Sequence, residues 1–352
     1  MCAAGAKGTT RTQIIKALYA QSLAKLNTQS QNICNNIIKP LSDQIMVADQ
    51  LYAALNITIK QSYIKTLTKY YSSNITELDF VNAPVGAVDA INNWVANKTN
   101  NLLPTIIAPG DVNALTRLII INCLYFKAQW LTPFQTTATT NQTFYLVNGS
   151  TTQVPMMSSQ GLYEYFNASA SIQAQIINIP FNTSSKRLSL VFTVILPDNN
   201  SNLTTVQQKL TNGILNTAFT SNKSKYIVLS LPKFKSEAKY ELTNALQQLG
   251  IKAVFDQQKA DLSGITPTST PNLSVTKVSH GAVIDVNEAG VEAAAATAVI
   301  IGLTSVNAGE ALQFNCNRPF LYMIREKTTG LLLFIGKYTG VTVSAYELSM
   351  TI

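Results

Sequence analysis

From Glu288 to Ser305 the chain reads EAGVEAAAATAVIIGLTS, with consecutive alanines at Ala293–Ala296 and no proline before Pro319. Alanines in a row favour a helical turn, because alanine loses least on entering a helix. The same residues also satisfy a strand pattern. With period two, Val291, Ala293, Ala295, Thr297, Val299 and Ile301 share one face. Glu292 falls on the other face with Ala294, Ala296 and Ala298. Small side chains and the lack of proline are what a segment needs if it is to slide between existing strands. The segment reads either as a helical turn or as a strand in waiting.

Composition narrows what surrounds it. Of 352 residues, 46 % are hydrophobic and only 12 % are charged. Disorder needs the opposite balance. The longest apolar runs, Leu190–Leu196 and Ala293–Leu303, fall short of the roughly 18 residues a membrane helix needs. The chain therefore reads as soluble and globular, with polarity supplied by Asn, Ser and Thr. Its net charge of +8 is diffuse. Lys7, Arg11, Lys16 and Lys25 form only a sparse basic stretch, without the aromatic interleaving that grips nucleic acid. Neither nucleic acid nor membrane is expected as a partner. Cys2, Cys34, Cys123 and Cys316 are widely spaced, which argues against a disulfide scaffold or a zinc module. Cys123 sits in an apolar run and reads as a buried free thiol. No metal and no cofactor are expected.

The first third reads helical, with candidates at Thr12–Leu26 and Val88–Val95. Thr116–Phe126 reads as a strand buried on both faces. Thr143–Leu146, Gln153–Met157, Ala174–Ile179, Leu188–Leu196 and Tyr226–Leu231 follow as strands. Tyr240–Leu249 reads as a helix stopped by Gly250. Strands return at Gly281–Val286, Phe320–Ile324 and Leu331–Tyr338. Without a repeat or a linker, the expectation is one α+β domain over residues 1–352.

Enzyme motifs are scarce. The one histidine, His280, could serve a hydrolase with Asp285, but no nucleophile elbow accompanies it. Ser22-x-x-Lys25 matches a short serine-acylase pattern whose partner motifs are missing. The chain is not expected to be an enzyme.

The run from Glu288 to Thr297 resembles the hinge of the reactive-centre loop of serpins. Other pieces follow the order of that family. Gly5–Thr10 resembles the stretch after its second helix, and Asn92-Asn93-Trp94-Val95 its N-x-W-V helix. Asn122–Trp130, NCLYFKAQW, resembles its N-A-x-Y-F-K-G-x-W strand. Val154–Met157, Leu231–Phe234, Ala260–Gly264 and Asn317–Phe320 complete the set. The resemblance implies the serpin fold: three β-sheets, about nine helices and an exposed loop, here about 288–316.

It also implies an irreversible inhibitor that acts as a suicide substrate. A protease attacks the loop, forms an acyl-enzyme and is trapped when the cleaved loop inserts into the central sheet. By position, Glu288 opens the hinge and Gly290 lets the backbone turn. Val291 is the first inward residue, and Glu292 follows it facing outward. Ala293, Ala294, Ala295 and Ala296 offer little steric resistance, and Thr297 fills a later inward site. The scissile bond falls at Thr304–Ser305, or at Leu303–Thr304 with a one-residue slip. Neither Leu303 nor Thr304 is basic, so a chymotrypsin- or elastase-like serine protease is the expected partner. A papain-like cysteine protease is the alternative. Asn122 and His280 match the family's shutter beneath the opening sheet, and Trp130 its breach, where insertion starts. The inhibitor is expected to be a monomer. The rival readings are a non-inhibitory serpin and a shortened, inactive form.

Serpins usually carry about forty further residues before the segment matching Gly5–Thr10. These form the first helix, a strand of the second sheet and most of the second helix. The expectation is that this chain starts at an internal Met. No secretory signal is present at its start, while Asn-x-Ser/Thr acceptors recur, from Asn56 to Asn272. Extracellular space is therefore favoured, with cytoplasm as the alternative.

Overall fold

In a computed structural model of the chain, residues 1–221, 223–267, 273–291 and 311–340 are described. They contain nine α-helices and fifteen strands. The strands are β1 (Ile45–Ala54), β2 (Asn74–Leu78), β3 (Leu118–Phe126), β4 (Ala128–Gln129), β5 (Thr140–Tyr145), β6 (Thr151–Asn167), β7 (Ala174–Pro180), β8 (Leu190–Pro197), β9 (Lys223–Pro232), β10 (Phe234–Glu241), β11 (Lys277–Val286), β12 (Gly290–Val291), β13 (Leu312–Asn315), β14 (Phe320–Glu326) and β15 (Leu332–Tyr338).

Backbone contacts group the chain into two units. Among the described residues, the first takes Met1–Tyr125 and Glu237–Val283, and the second takes Phe126–Ser236 and those from Ile284 on. In the first, β1 lies between β2 and β3, and β11 follows β3. β11 runs parallel to β3, with His280 opposite Asn122 and Gly281 opposite Cys123. The helix Pro84–Lys98 starts with proline in its first turn, where a missing N–H costs nothing, and buries Ile91 and Val95. These pack with Leu51, Leu118, Ile119 and Ile121 of the sheet.

The second unit holds a sheet in the order β13-β9-β6-β7-β8-β14-β15, with β5 on β6. The 17-residue β6 pairs with β5 and β9 and then with β7, so one strand joins what would otherwise be separate layers. All eight residues of β8 are buried, as its apolar run, interrupted only by Thr193, predicts.

Several expectations change in detail. Thr12–Leu26 is two helices, Gly8–Ala17 and Leu23–Ile33. Tyr19 takes the left-handed conformation between them, and Ser22 caps the second by accepting from the Lys25 N–H. That cap also accounts for the Ser22-x-x-Lys25 spacing. β3 is not buried on both faces, since Ile120, Asn122 and Leu124 are only half-buried. Tyr240 belongs to β10, so the expected helix begins at Thr243. All four cysteines are free thiols, and burial pushes that of Cys123 up to about 12. No helix among the described residues is long and apolar enough to cross a membrane.

Candidate functional site

Asn287–Gly290 forms a tight turn between β11 and β12. Asn287 and Gly290 exchange backbone hydrogen bonds, N to O, at 2.8 and 3.2 Å. Gly290 has φ +149°, and a Cβ there would lie 2.1 Å from the Ala128 carbonyl oxygen. Both facts demand glycine. The turn is held from outside as well. The Trp130 N–H donates to the Ala289 carbonyl at 3.0 Å, and the Phe134 N–H to the Glu288 carbonyl at 2.8 Å. Trp130 Nε1 donates to the Asn287 carbonyl at 2.9 Å. The Trp130 ring is buried, stacked on Phe181 at 4.6 Å and 8°, with the edges of Phe134 and Phe192 against it.

Glu288 turns back from this corner. Its Oε2 lies 2.9 Å from Lys233 Nζ, and its Oε1 accepts from the Thr139 hydroxyl at 2.8 Å. Partial burial opposes its charge, but the Lys233 and Thr139 contacts outweigh that and hold the carboxyl below its ordinary value. Lys233 lies in the Leu231–Phe234 motif, but neither it nor Thr139 carries a local signal that marks it as a partner of Glu288.

Beyond the turn, Val291 is fully buried. It pairs antiparallel with Val286 of β11 on one side and with Ala128 of β4 on the other. The two residues of β12 thus already lie as a strand between β11 and the continuation of β3. Glu288, Gly290 and Val291 are brought together here with Trp130. Glu292, Ala293, Ala294, Ala295, Ala296, Thr297, Leu303, Thr304 and Ser305 lie outside the described residues.

A second cluster spans β1, β3 and β11. The Asn122 Nδ2 donates to Asp49 Oδ1 at 2.6 Å, and the Asn122 Oδ1 faces His280 Nδ1. An amide oxygen only accepts, so His280 donates from Nδ1. Tyr240 stacks on the His280 ring at 6.2 Å and 8°. Burial pushes the His280 pKa down and the Asp49 pKa up. The hydrolase reading of His280 with Asp285 loses its geometry, because five steps along an extended strand set the two about 16 Å apart. Asp49 was not singled out by sequence, since one acid in ADQLYAA has no spacing to mark it.

Among the described residues, no group of three or more His, Cys, Asp or Glu side chains could hold a metal ion.

A sequence profile described as Serpin (serine protease inhibitor) matches residues 1–340. The chain belongs to the serpin family. A protein named leukocyte elastase inhibitor, from Equus caballus, is 31% identical over 344 residues, covering 96% of this chain and 88% of that protein. The crystal structure of native protease nexin-1 with heparin superposes with a TM-score of 0.84 at 25% identity, covering 96% of this chain and 88% of that one. Human thyroxine-binding globulin complexed with its ligand shares the serpin fold, with a TM-score of 0.85 at 23% identity over 96% of this chain and 87% of that one.

Proposed function

We propose that this serpin is an irreversible inhibitor of a chymotrypsin- or elastase-like serine protease, acting through loop insertion. The observation that carries the reading is β12. Its residues already sit between β11 and β4 in antiparallel register with both. On insertion, each further residue of the chain would step one place back along each neighbour. Thr297 then arrives opposite Asn122 on one strand and His280 on the other, which already face each other across the β3–β11 seam. By the same count, Ile301 reaches Leu118, the first residue of β3. The stretch from Val291 to Thr304 is long enough to fill the whole seam.

The chemistry belongs to the protease. Its serine oxygen attacks the Thr304 carbonyl carbon, an ester forms, and the peptide bond to Ser305 breaks with release of the Ser305 amine. Insertion of Val291–Ile301 then competes with hydrolysis of the ester. An inserted strand replaces one parallel pairing by two antiparallel ladders, which supplies the driving force. Loop insertion needs small or apolar inward side chains, and Val291, Ala293, Ala295 and Thr297 meet that need.

The leukocyte elastase inhibitor among its relatives supports an elastase-like target. The profile, over residues 1–340, runs through both units, which supports reading the chain as one inhibitor domain. Nine of the eleven Asn-x-Ser/Thr acceptors lie in described residues, at Asn56, Asn74, Asn97, Asn141, Asn148, Asn167, Asn182, Asn199 and Asn202, and all nine are exposed. This supports an extracellular setting, which a mass shift on deglycosylation of the native protein would check.

The deciding experiment mixes the serpin with chymotrypsin-like and elastase-like proteases and runs a denaturing gel. An SDS-stable band at the summed mass is expected, with a released fragment that starts at Ser305. Clean cleavage without that band would make the loop a mere substrate and defeat the proposal. A fragment starting at Thr304 would move the scissile bond by one residue.

A further inference from the structure

Asp49 is a charged side chain facing the seam pair that the insertion reading leaves without a role. It lies on β1, next to β3, and its carboxylate faces the Asn122 amide. A carboxylate only accepts hydrogen bonds. While Asp49 is ionised, the amide must therefore turn its NH2 to Asp49 and its oxygen to His280. The imidazole must then carry its proton on Nδ1. Donation to a carboxylate also polarises the amide and strengthens its oxygen as an acceptor, since linked hydrogen bonds reinforce one another. A protonated Asp49 carboxyl can donate as well as accept, so the amide is free to reverse and the seam bond loses its fixed polarity.

We propose that Asp49 is a positioning residue which, acting through the Asn122 amide, fixes the hydrogen bond that closes the β3–β11 seam, so that acid loosens the seam. The proposal rests on the loop-insertion reading given above.

The sign follows from which strands part. The seam lies between β3 and β11, whereas β1 and β3 are neighbours on one side of it. Asp49 stays against Asn122 whether the seam is open or closed, so its burial cost cancels between the two states. What differs is the seam bond, which is strongest with Asp49 ionised and weakens as pH falls through the Asp49 pKa. Burial raises that pKa from its ordinary value, moving the transition towards neutrality. His280 itself is pushed down by burial, and its own charging is common to wild type and Asp49→Asn. The Cys34 and Cys123 thiols are pushed up by burial and stay protonated in acid. The Tyr240 phenol, stacked on His280, is also pushed up. Lys98 lines the same cleft as Asp49. The Met1 amine is brought down to about 6 by burial, but it is common to the wild type and to any Asp49 variant.

The test uses the full chain and a fluorescent synthetic peptide, VEAAAATAVIIGL, which copies residues 291–303. Its rate of incorporation is followed by anisotropy in wild type and Asp49→Asn. The wild-type rate is expected to rise about tenfold from pH 7.5 to pH 5. Asp49→Asn should already be fast at pH 7.5 and change less than about twofold. Identical profiles, or a slower variant at pH 7.5, overturn the proposal. A second readout needs no variant. The chain has one histidine, so ¹⁵N spectra of histidine-labelled protein report His280 alone. The Nδ1–H tautomer should dominate at pH 7.5 and lose its exclusivity across the same acid range as the rate change. A tautomer that does not respond overturns the proposal even if Asp49→Asn fails to fold. If no peptide enters at any pH, the insertion reading fails and the seam proposal with it, while the spectra still decide whether Asp49 orients His280.

Discussion

The hinge turn and the seam pair are held by different physics. At the hinge, Asn287–Gly290 is tied down by backbone hydrogen bonds, a stacked tryptophan and the Lys233–Glu288 ion pair. At the seam, side-chain control rests on a chain of three groups, Asp49, Asn122 and His280. The hinge is over-determined, so single polar changes there should cost little. The seam has its backbone ladder but only these three groups for side-chain control, so whatever is placed between its strands matters greatly. A site that must hold a strand's first residues in place calls for redundancy. A site that must open once calls for a bond that one event can break.

The largest effect is expected from a charge carried into the seam. Thr297→Arg would place a guanidinium between Asn122 and His280 on insertion, at a cost of several kcal/mol for an unpaired buried charge. SDS-stable complex should fall at least about 100-fold while loop cleavage continues. Undiminished complex would break the register argument. Next comes Trp130→Ala, which empties the stacked pocket beside Phe181 and should cost about 3–5 kcal/mol in urea unfolding. A loss below about 1 kcal/mol would mean that the turn does not lean on the ring. Gly290→Val should cost about 3 kcal/mol, from its positive φ and its clash with the Ala128 carbonyl. Unchanged thermal unfolding would overturn that geometry.

The smallest effect sharpens the comparison most. Glu288→Gln should cost about 1 kcal/mol, because Lys233 is 45 % exposed and its ion pair is screened. The lowered pKa of Glu288 fixes the sign with pH. Its contribution is present above the ordinary carboxylate pKa and is lost as pH falls through the lowered folded value. Wild type and Glu288→Gln should therefore converge in acid. If Glu288→Gln were instead as damaging as Trp130→Ala, the hinge would not be redundant.

Much of this was legible in the chain because the family motifs are local. EAGVEAAAAT, NCLYFKAQW and the lone histidine each announce themselves within a few residues. What escaped was long-range or lacked a pattern. Lys233 meets Glu288 across 55 positions, and Thr139 meets it across 149. Nothing in LPKFK or TTATT foretells either contact. β6 was read only as Gln153–Met157, because SSQGLYEYFN beyond it lacks a branched run, yet β9 pairs along it as far as Tyr165. The break at Tyr19 was hidden because a residue with positive φ carries no compositional mark unless it is glycine.

The parallel register of β3 and β11 has a consequence for handling the protein. Under the insertion proposed above, a closed seam that gives way to two antiparallel ladders would be a store that empties in one direction, at a rate that climbs steeply with warmth. A preparation then has a history. Two vials of equal concentration and purity can differ in working fraction because one spent an afternoon at a higher temperature, and an absorbance reading would not tell them apart.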